Sequence, residues 1–81
     1  MNKKRASRIT EALQMIVIAK DELEICRDEE QEYLDNMPEN LQGGDKAIAA
    51  EETINTLDDA ISGLEEAVEA CGEIEGVSVD V

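Results

Sequence analysis

Carboxylates are the functional groups this chain holds in quantity, and their spacing is regular. Glu51-Glu52, Asp58-Asp59 and Glu65-Glu66 place a pair every seven residues, and Glu73 continues the row. Asp21-Glu22 and Asp28-Glu29 repeat the device upstream, followed by Asp35. Paired carboxylates can serve acid–base catalysis, hold a hard cation, or present negative charge to a basic partner. Catalysis needs a cleft that pushes two pKa values apart, whereas a heptad repeat strings the pairs along a solvent-facing line. A calcium loop needs its glycine turn within a dozen liganding residues, and no such loop is present. What remains is display to a basic partner, or a plain solvated face that keeps the chain soluble. Seven residues of helix rise about 10.5 Å, so each helix would carry a ladder of double negative charge.

Composition narrows the field further. The 81 residues hold 21 Asp and Glu against 7 Lys and Arg, a net charge of −14, with one Tyr and no Phe, Trp or His. Without His, neither Ser-His-Asp and Cys-His nucleophile systems nor His-containing zinc sites can be built. The sequence calls for no metal and no cofactor, and enzymatic activity is not expected. Direct binding to nucleic acid or to an anionic membrane needs surplus Lys and Arg, which this chain lacks. Its longest apolar run, Met15–Ala19, is far short of the roughly 18 residues of a membrane span. Asn2-Lys3-Lys4-Arg5 resembles the basic start of a signal peptide, but Glu11, Lys20 and Asp21 leave no apolar core behind it. The expected location is the cytoplasm.

The elements that must carry these ladders follow from the apolar spacing. Ala47, Ala50, Ile54, Leu57, Ile61, Leu64, Val68 and Cys71 form an unbroken a/d heptad seam, predicting a helix over 45–72. Gly72 is placed to end it in the left-handed conformation. A first helix, 8–36, carries Ile9, Ala12, Ile16, Ala19, Leu23, Cys26 and Tyr33 at the same spacing, with Leu13 and Leu34 flanking and Glu30 interrupting. Residues 1–7 form a basic leader. Pro38 and the Gly43-Gly44 pair mark a turn over 37–44, with Met37 and Leu41 available to plug its apolar end. Residues 73–81 read as a flexible acidic tail.

The fold class is therefore all-α, an antiparallel two-helix hairpin. Charge placement sets its register. Lys20 and Arg27 fall at e positions of the first helix, and Glu51, Asp58 and Glu65 at e positions of the second. A pivot near residue 40 or 41 puts Arg27 between Glu51 and Asp58, and Lys20 between Asp58 and Glu65. The basic leader then meets Glu69, Glu73 and Glu75. The same register separates Cys26 from Cys71 by about 24 Å along the helix axis, too far for a disulfide, and both read as small buried hydrophobes.

One layer of helix contact is thin support for so many ordered residues. Met15, Val17, Ile18 and Ile25 lie off the first helix's seam, and Ile18 and Ile25, one heptad apart, form a second stripe; this predicts a homodimeric four-helix bundle or, on the sharper reading, a groove for a different protein.

The turn segment Tyr33-Leu34-Asp35-Asn36-Met37-Pro38-Glu39-Asn40-Leu41-Gln42, followed by Ala- and Glu-rich heptads, resembles small acidic helical-hairpin proteins encoded by phages and prophages of Gram-positive bacteria. The resemblance implies a hairpin fold and a mobile-element setting, and brings no activity with it. Two functional expectations result. In one, the acidic rows engage a basic, nucleic-acid-binding surface of a host protein, as an inhibitor imitating a phosphate backbone. In the other, the bundle itself is the purpose, and the apolar stripe builds an assembly.

Overall fold

The computed structural model describes residues 1–79. Two long helices, α1 (Lys3–Asp35) and α2 (Asp45–Gly72), pack antiparallel along their length, joined by a turn containing one short 3-10 segment, Glu39–Leu41. The result is a rod of 60 × 14 × 13 Å. Its radius of gyration is 17.4 Å, against about 12 Å for a compact chain of this length. The core is therefore a line of contacts with no globular centre.

Each terminus of α1 has a local cause. The Asn2 side-chain oxygen accepts a hydrogen bond of 2.7 Å from the Arg5 backbone N–H, one of the donors a helix start leaves unpaired. That cap starts α1 at Lys3, so most of the expected basic leader is helical. At the other end the Asn36 N–H donates to the Glu32 carbonyl and the Met37 N–H to the Leu34 carbonyl before Pro38 halts the chain. Met37 is buried and does plug the turn, while Leu41 is half exposed and does not. Gly43, at φ +88°, reverses the chain ahead of α2.

The seam of α2 is the one its heptads predict: Ala47, Ala50, Ile54, Ile61 and Val68 are buried, with Leu57, Leu64 and Cys71 half-buried between them. The seam of α1 is not. Its inward line is Ile9, Leu13, Ile16, Lys20, Leu23, Arg27, Glu30 and Leu34, whereas Ala12, Ala19, Cys26 and Tyr33 face solvent. The helix is turned so that its second inward column lies one residue later than expected. Leu13 is larger than the Ala12 it displaces and buries more apolar area, and Leu34 takes the place of Tyr33, which is left to solvent. Lys20 and Arg27 can share that column because their aliphatic stems pack while their charged ends reach carboxylates on α2.

Register is set by those two cations. Arg27 meets Asp58 at 3.1 Å and Lys20 meets Glu65 at 3.8 Å. Partner numbers therefore sum to 85, moving the pivot to Gln42–Gly43. Among the described residues no ion pair joins Lys3, Lys4, Arg5 or Arg8 to the acidic end of α2.

Residues 73–79 are laid against α1, where the sequence reads as a free tail. Gly72 stays helical; the left-handed residue is Gly76, at φ +87°. A side chain there would press Ala6, since a Cβ would lie 3.3 Å from the Ala6 Cβ. The reversal drops Val77 into a cluster with Ala6 and Leu13, flanked by Ile9, Ile16, Cys71 and Val79. The Ser78 N–H donates to the Thr10 hydroxyl, which itself donates to the Ala6 carbonyl. Val77 and Val79 thus close the open end of the hairpin, and the last two residues of the expected tail lie outside the described residues.

Candidate functional site

All twelve residues of the acidic rows are exposed: Asp21, Glu22, Asp28, Glu29 and Asp35 on α1, and Glu51, Glu52, Asp58, Asp59, Glu65, Glu66 and Glu73 on or just after α2. They divide by what they touch. Asp58 and Glu65 reach across the hairpin to Arg27 and Lys20, and Asp28 and Asp21 close on the same two cations at 3.2 and 3.6 Å. Asp35 accepts a hydrogen bond from the Gln31 side-chain amide. Glu22, Glu29, Glu51, Glu52, Asp59, Glu66 and Glu73 make no ion pair among the described residues.

Lys20 and Arg27 are thus spent inside the hairpin. Lys20, whose side chain is only 13% exposed, is ringed by Glu24 at 3.1 Å, Asp21 and Glu65. Its hydrogen bond to Glu24 raises its pKa above the ordinary 10.5, against a smaller opposing effect of desolvation, with the three carboxylate charges adding to the rise. Arg27 is likewise raised, first by its hydrogen bond to Asp58 and then by that to Asp28. What α2 turns away from α1 is the line Glu52, Asp59, Glu66, at about 10.5 Å spacing. No group of three or more His, Cys, Asp or Glu side chains is poised to hold a metal among the described residues. Nor does any described helix have the length and apolarity to cross a membrane.

The second stripe is partly as expected. Met15 and Ile18 are 69% exposed and Ile25 51%, all on the side of α1 away from α2. Val17 is half-buried and turns toward the hairpin interface, so it leaves the stripe. In its place the stripe gains Ala19, Cys26 and Tyr33, the column that the expected seam had assigned to the interior. Cys26 is therefore an exposed free thiol and Cys71 a half-buried one beside Val77. In the observed register Cys71 lies opposite residue 14, about 18 Å along the axis from Cys26.

One feature sequence reasoning missed lies at the turn. Tyr33, Met37, Pro38 and Leu41 wall an open groove of about 770 Å³, with Glu29, Glu32, Asp45 and Lys46 at its rim. Its signal was the cluster of large apolar residues around Pro38, read above only as a plug.

The architecture defines an acidic antiparallel helical hairpin with an apolar outer stripe. No family model, curated protein or solved structure matches the chain.

Proposed function

We propose that this chain is a non-enzymatic interaction module whose carboxylate rows engage a basic, nucleic-acid-binding surface of a host protein, in the manner of a phage-encoded inhibitor. The observation that carries the reading is the division of labour among charges. Lys20 and Arg27 are consumed inside the hairpin, which leaves Glu52, Asp59 and Glu66 as an uncompensated outward row along α2. Regular negative charge on a stiff rod is what a groove built for a phosphate backbone attracts, and its salt dependence would follow the same release of bound ions. The phage setting rests on the turn-segment resemblance.

The test is capture of partners from host lysate under increasing salt, with duplex DNA as competitor, beside a variant carrying Gln at 51, 52, 58, 59, 65 and 66. A basic partner that DNA displaces, and that the neutralised hairpin fails to hold while remaining helical, supports the proposal. Undiminished binding by the neutralised variant sinks it.

The exposed Met15, Ile18 and Ile25 favour a second reading. In it the hairpin is a structural or assembly module that pairs through this stripe into a homodimeric four-helix bundle. Such a partnership would survive high salt, which the first would not.

A further inference from the structure

We infer that α1 pairs antiparallel with the α1 of a second copy, through a continuous outward heptad whose basic and acidic ends are mutually complementary. The inference rests on the bundle reading and specifies its geometry. On the face away from α2, the residues Lys4, Arg8 and Glu11 lead into Met15, Ile18 and Glu22. Ile25 and Glu29 continue the same 4-3-4-3 alternation, and every one of these eight is exposed. Three of the eight, Met15, Ile18 and Ile25, are apolar and lie toward the middle of the line, where a second helix would cover them.

The ends of the helix say which way that neighbour runs. The first turns of α1 carry Lys3, Lys4, Arg5 and Arg8 and no acid, where the backbone dipole is positive; its last turn holds Glu32 and Asp35 and no base, where the dipole is negative. Both ends are charged against the helix's own polarity. Within the chain α2 answers this only in part: no ion pair joins it to the four bases among the described residues, and beside Glu29 and Glu32 it brings both Asp45 and Lys46, the latter in no ion pair among the described residues. An antiparallel copy of α1 answers it at both ends at once. With a two-fold axis near residue 20, partner numbers sum to about 40. Met15 then packs on Ile25 of the second copy and Arg8 faces Glu32, while Glu11 meets Glu29 and Ile18 meets Glu22. A parallel copy would instead stack four bases on four bases.

Sedimentation of the full chain over a concentration series tests the pairing, and cysteine crosslinking tests its direction. In a Cys26→Ser, Cys71→Ser background, Met15→Cys with Ile25→Cys should form an interchain disulfide under mild oxidation, and Met15→Cys alone should not. Arg8→Glu should weaken dimerisation about tenfold, since the pair recurs twice and turns from attraction to repulsion, and adding Glu32→Arg to the same chain should restore it. A dimer that crosslinks through Met15→Cys alone, or that ignores the charge swap, overturns the antiparallel inference and leaves the bundle reading standing. A chain that stays monomeric at every concentration overturns both, and assigns the stripe to a different protein.

Discussion

Gly63 and Gly76 show how differently two glycines can act in one hairpin. A Cβ at Gly63 would meet nothing within 4 Å, and the residue sits in the middle of α2. Gly63→Ala should therefore stabilise the fold by about 1 kcal/mol, the ordinary helical cost of glycine, read as a higher melting temperature. Gly76 combines φ +87° with a 3.3 Å approach to the Ala6 Cβ. There Gly76→Ala should cost about 1–2 kcal/mol in left-handed strain. The loss should appear first as faster amide exchange at Val77 and Ser78, because the tail can lift before the helices part. Lys20 titrates rather than strains. Its pKa is raised in the folded chain, so the stability it contributes is complete below its unfolded value and is lost as pH climbs past the folded one. The penalty of Lys20→Gln, measured by melting, should be constant from neutral pH to about 9 and shrink above the ordinary 10.5. A penalty unchanged at strongly alkaline pH would mean that Lys20 acts through its packed stem and not its charge.

The two helices differ in how far their sequences disclose their faces. In α2 every a and d position is Ala, Ile, Leu, Val or Cys, and no competing column is apolar along its whole length, so a single inward face fits. In α1 two columns compete for the place beside Ile9, Ile16 and Leu23. One holds Ala12, Ala19, Cys26 and Tyr33; the other holds Leu13, Lys20, Arg27 and Leu34. A count of apolar residues selects the first. The fold selects the second, because its Leu13 fills more volume than Ala12 and its two cations find Glu65 and Asp58 across the interface. Periodicity alone could not reveal this, since it weighs each helix without its partner. The closed tail escaped for a similar reason: Val77 gains its burial from Ala6 and Leu13, 71 and 64 residues away in sequence. The acidic rows were fully legible as exposed positions, yet which rungs are spent on Lys20 and Arg27 depended on the pivot of the turn. The corrected face carries a direct test. Leu13→Ala should cost about 2–3 kcal/mol, at the low end for core truncations because a two-helix seam can partly collapse. Cys26→Ser, on the outer face, should stay within about 0.5 kcal/mol. Equal losses in denaturant melts would restore the other column.

At the scale of the whole molecule, charge and shape pull against each other. A rod 60 Å long carries a net charge of −14, and its outward carboxylates repeat at about 10.5 Å. That spacing is close to the screening length of about 10 Å in 0.1 M salt, so neighbouring rungs repel at low ionic strength and cease to above it. Only two cations bridge the helices among the described residues, both at the surface of the seam, and exposed pairs contribute little net stability. Repulsion along the rows therefore outweighs attraction across the seam, and added salt should raise the melting temperature by several degrees. The same salt should loosen any partner held by Glu52, Asp59 and Glu66, while leaving contacts made by Met15, Ile18 and Ile25 unchanged or tighter. Measuring stability and partner release in one salt series thus separates the two faces. Stability that rises while binding falls places function on the carboxylate rows; stability and association that rise together place it on the apolar stripe. A melting temperature that falls with salt would mean that the Lys20 and Arg27 clusters, and not the ladders, dominate the electrostatics of the rod.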